Sequence, residues 1–291
     1  MKKNKKTLDT LVQDIYAAIQ PLTQNVQLDI KDSDFDKFGV AMADALKHWA
    51  TPQPRGSSSL RMSNIGKPSR QLWFDLNAEQ KPQQLDPSTM IKFLYGHLLE
   101  ELVLFFVKLA GHEVTGEQKT IEVEGIQGHM DCIIDGEVVD IKTTSGFAFK
   151  KFKEGTLSND DPFGYIAQLS GYEHSEGTNN GGFLALNKET GELTLFRPDE
   201  FDKPNIVNSI KNIKKTVAKK TPPIFCYPTV PEGKAGNFKL AKGCTYCRHK
   251  FECHKDSNNG KGLRAFKYAK GATYFTDIKS LPKVEEIQIE R

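Results

Sequence analysis

Gly128-His129-Met130-Asp131-Cys132-Ile133-Ile134-Asp135-Gly136-Glu137-Val138-Val139-Asp140-Ile141-Lys142 is the stretch on which the reading of this chain turns. Asp135-Gly136 is a tight-turn dipeptide, flanked by the apolar runs Cys132-Ile133-Ile134 and Val138-Val139. That pattern predicts two strands of a hairpin. Side chains alternate along a strand, so Asp140 and Lys142 share a face while Ile141 enters the core. Asp131 is expected on the neighbouring strand. Two carboxylates and an ammonium then converge at one edge of a small sheet. Carboxylates are ligands for the hard cations Mg²⁺ and Mn²⁺. A lysine beside them can orient or help deprotonate an attacking water and offset the charge of a pentacovalent phosphate. The set suits phosphodiester hydrolysis. D-x-K alone is common, and an ordinary polar hairpin is the plain alternative.

Three further features narrow the choice. Ile91 to Leu109 is nearly all apolar, yet it contains Glu100 and Glu101. An unpaired buried carboxylate is costly, so one of them needs a metal or a base as partner. Adjacent helical residues point about 100° apart, so a single one is expected at the site. Gly96, one turn earlier, leaves room for a close approach. A helix rim exposing both acids is the alternative. Downstream, Gln168 and Tyr172 share a helix face at i, i+4 and offer an amide and a phenol to a nucleic-acid strand or to metal ligands. A packed Tyr with a surface Gln is the competing reading. The third feature is order: G-x-x-x-E, G-H-x-D, D-x-K and Q-x-x-x-Y follow one another at separations suiting helix, hairpin, helix.

In that combination the chain resembles the PD-(D/E)XK nuclease superfamily, and within it the RecB-like nucleases and the phage and CRISPR-adaptation-type exonucleases. The resemblance covers about residues 60–255. It implies an α/β, restriction-endonuclease-like core, with a small mixed central sheet flanked by helices. It also implies a metal-dependent DNA exonuclease working from single-stranded or processed ends. The implied Mg²⁺ or Mn²⁺ ligands are Asp131, Asp140, Glu100 and the backbone carbonyl of Ile141. Lys142 is the implied catalytic lysine, with Gln168 and Tyr172 completing the site. The family's first motif often carries His where Glu100 stands here, which leaves the choice between Glu100 and Glu101 open. Ser63 and Arg70 are implied phosphate contacts.

Five cysteines are present. Cys132 belongs to the hairpin and reads as a small buried hydrophobe. Cys244, Cys247 and Cys253 form C-x2-C-x5-C, a spacing from which a tight turn grips one metal centre, and Cys226 is a fourth donor. The resembled nucleases that carry a 4Fe–4S cluster add one cysteine upstream of the core. Here Pro68 and Ser69 occupy that segment, and Cys226 could substitute. His249 or His254 as fourth ligand would favour Zn²⁺. The N-terminus is basic, but Leu8 to Ile19 is amphipathic, not an apolar signal core. No run is long enough to span a bilayer. A reducing cytoplasmic setting, in a bacterial cell or a phage-infected host, is expected.

The net charge of +3 conceals an uneven spread. Lys203 to Lys270 contains sixteen Lys or Arg against three acids. Lys211, Lys214, Lys215, Lys219 and Lys220 are expected on one helix ending before Pro222-Pro223, and Arg248 and Lys250 lie among the cysteines. Lys214, Lys215, Arg248 and Lys250 are therefore candidate DNA contacts, against the alternative of a solvated basic face. Residues 1–59 read as two amphipathic helices and a linker, 60–220 as the nuclease core, and 221–291 as the cysteine module with a short tail holding one strand near Thr273-Tyr274-Phe275. The implied partners are DNA and replication or recombination proteins. Two rivals stand beside the exonuclease: a non-catalytic DNA-binding recombination module with a nuclease fold, and a structure-specific endonuclease. The intact Asp131, Asp140 and Lys142 count against the first. The lack of an identifiable target-recognition domain counts against the second.

Overall fold

The computed structural model describes residues 5–51, 59–78, 86–269 and 271–289. Most of the expected Thr51–Ser59 linker lies outside the described residues. The chain divides into two compact units, one of residues 1–66 and 80–212, the other of 67–79 and 213–291. The junction between residues 212 and 213 falls inside a helix.

The first unit begins with helices α1 (Leu11–Ile19) and α2 (Asp32–Ala50). Of the apolar stripe Leu8, Leu11, Val12, Ile15 and Ile19, the residues Leu8, Leu11 and Ile15 are buried in the main core, and Val12 and Ile19 are partly buried. On α2, by contrast, no residue is fully buried. Its Phe38 ring meets Phe105 at 4.9 Å, and Trp49 donates to the Met90 carbonyl. α3 (Ser69–Asn77) belongs to the second unit. α4 (Pro87–Leu109) starts on a proline, whose missing N–H costs nothing in a first turn. It runs across the sheet and buries Val103, Leu104 and Val107.

Strands β1 (Val114–Thr115), β2 (Lys119–Val123), β3 (Ile126–Met130), β4 (Cys132–Ile134) and β5 (Glu137–Thr144) follow. Next come α5 (Gly146–Lys153), α6 (Tyr165–Glu176), β6 (Gly182–Asn187) and β7 (Leu193–Phe196). The main sheet has the order β1-β4-β5-β6-β7. β4 and β5 are the predicted hairpin, pairing Cys132 with Val139. Asp135 and Gly136 both have positive φ, 53° and 94°, the backbone that a two-residue hairpin turn requires. β5 and β6 run parallel, with α5 and α6 as the crossover, and β6–β7 closes antiparallel. The sheet is thus mixed and flanked by helices. All six residues of β6 are buried, as befits a strand covered on both faces. His112, with its side chain fully buried, pairs through Nδ1 with Asp135 of the hairpin turn at 2.6 Å, and its Nε2 stands 3.2 Å from Asp14 of α1.

One expectation needs correction. β3 pairs with β2 in a separate two-stranded ribbon, so Asp131 stands not within a neighbouring strand but at the break between β3 and β4. The reason is local. The Asp131 carboxylate accepts the Ile141 N–H at 2.7 Å, giving that amide a side-chain partner at the break.

α7 (Ile206–Val217) ends earlier than expected, leaving Lys219 and Lys220 beyond it. Thr221, preceding Pro222, is biased away from helical backbone, and the chain leaves the helix a few residues before it.

The second unit contains α3, the cysteine loops and a five-stranded antiparallel sheet. Its strands are β8 (Val230–Glu232), β9 (Asn237–Lys239), β10 (Arg264–Tyr268), β11 (Gly271–Asp277) and β12 (Glu286–Ile287), in the order β12-β10-β11-β9-β8. The tail expected to hold one strand therefore supplies most of a sheet. β10 is masked in the sequence by its charged residues Arg264 and Lys267. It gains its place by pairing Ala265 and Phe266 with Tyr274 and Thr273 of β11. Phe266 and Phe275 are fully buried and meet edge to face at 5.3 Å.

Candidate active site

Asp140 and Lys142 leave β5 on one face, and Ile141 between them enters the core. Asp140 is 1% exposed. Among the described residues neither of its carboxylate oxygens has an aligned hydrogen-bond donor, and the Lys142 ammonium is its ionic partner. Burial works against the Lys142 charge, but Asp140 and Asp131 outweigh it and hold its pKa well above the ordinary lysine value. Asp131 lies across from them, tied to the Ile141 N–H. Burial, reinforced by the nearby Asp140 charge, pushes its carboxyl up to about 7.

α4 brings Glu100 to the same place. Burial pushes its carboxyl up to about 8, with further contributions from Asp131, Glu101 and Asp140. Glu101 lies on a different side of the helix. After burial, the groups that act on it are Glu117 and Lys108. The two adjacent acids are thus separated by helical rotation, and Glu100 is the one that feels the hairpin acids. When all are ionised, three partly or fully buried carboxylates beside one ammonium repel one another in sum. A cation added there would relieve that repulsion.

Gln168 and Tyr172 do meet on one face of α6, but their polar atoms are spent internally. The Gln168 amide donates to the Tyr172 hydroxyl at 2.9 Å, and that hydroxyl donates to the His129 carbonyl at 2.7 Å. Both side chains are buried. The pair therefore secures the end of β3, two residues before Asp131. Gly128 is needed beneath it, because a Cβ there would stand 2.9 Å from the Tyr172 ring.

Two residues at the site carry no motif and escaped the sequence reading. The Gln118 backbone N–H donates to the Asp131 carbonyl at 3.0 Å, and its side-chain amide donates to Glu100 at 2.7 Å, joining the two acids. Tyr165, the first residue of α6, has the Lys142 ammonium 4.7 Å from its ring centroid. Gln118 lies in a turn that no spacing marks, and Tyr165, although it opens the same helix as Gln168 and Tyr172, meets Lys142 only through the packing of α6 on β5.

In the second unit Cys226, Cys244, Cys247 and Cys253 line one small cavity with Arg70, Phe225, His249 and His254. Burial raises the thiols of Cys226, Cys244 and Cys247, that of Cys244 to about 12. The Cys226 thiol receives the backbone N–H groups of Arg70 and Gln71, in the first turn of α3. This is the chain segment of Pro68 and Ser69, where the sequence lacks an upstream cysteine. Arg70 donates to Cys253 Sγ at 3.0 Å and to the Pro223 carbonyl, with Phe225 stacked beneath it at 4.2 Å. His249 is engaged by Asp75 at 2.6 Å, while His254 Nε2 has no hydrogen-bond partner among the described residues. Of the candidate DNA contacts, Ser63, Lys214 and Lys215 are exposed. Arg248 is paired with Asp75 at 2.7 Å, and Lys250 stacks between Phe251 and Tyr274.

Among the described residues, no group of three or more His, Cys, Asp or Glu side chains stands arranged to hold a metal ion. The donors nevertheless match in kind. Asp140 is a buried, hydrogen-bond-orphaned carboxylate among other oxygen donors, which suits a hard cation. The four thiols sharing one cavity suit a softer centre. At the acidic site the Lys142 ammonium compensates Asp140.

No family model matches this sequence, and no curated protein matches it. Solved structures similar to it include an alkaline exonuclease (LHK-Exo) from Laribacter hongkongensis, at 15% identity and a TM-score of 0.40 over 55% of this chain and 88% of that one. The same exonuclease in complex with dAMP matches at 12% identity and a TM-score of 0.35, over 55% of this chain and 90% of that one. A protein named SSO0001 matches at 14% identity and a TM-score of 0.39, over 72% of this chain and 92% of that one. These are partial likenesses of backbone, and the functional argument rests on the site itself. Among the described residues no helix is long and apolar enough to cross a membrane.

Proposed function

We propose that this chain is a divalent-metal-dependent deoxyribonuclease that hydrolyses phosphodiester bonds from DNA ends. The observation that carries the reading is the gathering of Glu100, Asp131 and Asp140 around Lys142, with Asp140 buried and, among the described residues, the Lys142 ammonium as its ionic partner. A structure stabilised for its own sake would not keep three acids at one poorly hydrated point. Asp131, Asp140, Glu100 and the Ile141 carbonyl would hold Mg²⁺ or Mn²⁺. Such an ion supplies Lewis-acid polarisation of the scissile phosphate and a lowered pKa for the attacking water. Lys142, released from Asp140, positions that water and offsets charge on the phosphate. Tyr165 keeps the ammonium oriented, Gln118 spaces Glu100 from Asp131, and the Gln168–Tyr172–His129 relay holds the strand end on which Asp131 depends.

The cysteine cavity belongs to the same proposal as a structural centre. Cys226, Cys244, Cys247 and Cys253 are its ligands, for 4Fe–4S or for Zn²⁺. Lys214, Lys215 and Ser63 are the exposed candidates for phosphate contact.

The test is digestion of end-labelled linear DNA beside a covalently closed circle, in Mn²⁺. Loss of label from the linear form with the circle intact is expected. Asp140→Ala and Lys142→Ala are expected to lower turnover at least about 100-fold while DNA binding persists. Cutting of the circle would replace the exonuclease with an endonuclease. Absence of cleavage by the wild type in both Mg²⁺ and Mn²⁺ would leave only a binding module.

A further inference from the structure

Beyond the catalytic groups, one exposed side chain near them is held in place without serving the core. Phe163 is 57% exposed. Its ring lies on that of Tyr165 in a stacked arrangement, centroids 5.4 Å apart and planes 22° from parallel. Tyr165 in turn carries the Lys142 ammonium at 4.7 Å. The order is therefore catalytic lysine, half-buried tyrosine ring, exposed phenylalanine ring. A scattered exposed aromatic is ordinary on a protein surface. This one is distinguished by how firmly its backbone is fixed.

Asp161 accepts the Gly164 and Ile166 N–H groups, both at 2.9 Å, which caps the start of α6. Gly164 adopts φ +75° and presses directly on the backbone of Gly66, with no room for a Cβ on either residue. On the other side, Lys151 holds Asp160 through both its carbonyl, at 2.9 Å, and its carboxylate. Phe163 is thus gripped on both flanks and backed by a ring. Its ordering entropy has been lost before any ligand arrives, which is what a preorganised contact requires.

We propose that Phe163, backed by Tyr165, is a stacking platform for a nucleobase of the strand whose phosphate reaches Lys142. The proposal rests on the nuclease reading of the neighbouring site and adds a specificity to it. A base inside a duplex is covered on both faces by its neighbours, so only a terminal or unpaired base can lie on this ring, and the platform selects ends and single strands over duplex interior. Every base has a π-face, so the selection is not for sequence.

The experiment uses the full chain and short oligothymidylates carrying 2-aminopurine or an abasic residue at either terminus, titrated in EDTA and in Ca²⁺. At one terminus, the wild type is expected to quench 2-aminopurine on binding and to bind the abasic form about tenfold more weakly, the order of one stacked base. Phe163→Ala is expected to bind the intact oligonucleotide about tenfold more weakly, to lose the quenching, and to be indifferent to the abasic end. Phe163→Tyr is expected to restore all three. Equal base-versus-abasic discrimination by wild type and Phe163→Ala, with unchanged melting temperature, overturns the platform. Hydrolysis of the same oligonucleotide by the wild type in Mn²⁺ judges the nuclease reading separately. No binding of any oligonucleotide by the wild type removes the platform whatever the hydrolysis result.

Discussion

At the scale of single residues, charge balance decides what the site can do. Glu100 and Glu101 are chemically identical neighbours, and helical rotation alone sends one toward Asp131 and the other toward Lys108 and Glu117. Glu100→Gln is expected to reduce Mn²⁺-dependent cleavage about 100-fold, and Glu101→Gln to leave it within a few-fold. A steady-state comparison of the two purified variants checks this, and the reverse order would reassign the ligand. Protons give a second test. The Glu100 and Asp131 carboxyls are raised to about 8 and about 7, so the folded chain keeps protons there that the unfolded chain releases. Their stabilising effect is complete below the ordinary carboxylate range and is lost as the pH rises through those values. A cation replaces the missing protons. Saturating Mn²⁺ is therefore expected to raise the melting temperature more at pH 8 than at pH 6. Differential scanning fluorimetry at the two pH values reads the difference directly.

At the scale of elements, the site is made by a hairpin and two helices that hold it. The β4–β5 hairpin places Asp140 and Lys142, but Asp131 depends on where β3 ends. Tyr172 fixes that end through the His129 carbonyl. Tyr172→Phe removes both hydrogen bonds of a buried relay, one accepted from Gln168 and one donated to His129, and is expected to cost about 1–3 kcal/mol of stability. Because Asp131 is then less firmly placed, the Mn²⁺ concentration for half-maximal cleavage should rise several-fold while DNA binding stays unchanged. A merely packed tyrosine would lower stability without moving the metal dependence.

At the scale of the whole molecule, two compact units carry two different donor sets, oxygen in one and sulfur in the other. Thiolate coordination contributes folding free energy. Cys247→Ser is expected to lower the melting temperature by several degrees and to remove the bound metal. Anaerobic purification with visible absorption and metal analysis identifies the centre. A brown protein with iron and sulfide marks a cluster, and a colourless one with stoichiometric zinc marks the alternative. A metal-free wild type whose melting temperature Cys247→Ser leaves unchanged would remove the module from the account.

Local chemistry was enough for the sequence to determine the hairpin, the shared face of Asp140 and Lys142, the burial of Ile141, the helix carrying Glu100, and the shared helix face of Gln168 and Tyr172. Each of these follows from a turn dipeptide, a period of two, or a spacing of four, interactions that span a few residues. Tertiary structure decided what depends on distant segments. It set Asp131 at a strand break, turned Tyr172 onto a carbonyl, brought Gln118 between two acids, and stood Phe163 on Tyr165. It also assembled a sheet from a tail that reads as one strand, and lodged the Cys226 thiol against the first turn of α3. Those outcomes rest on pairing and packing between residues that no periodicity connects, so no pattern along the chain encodes them separately.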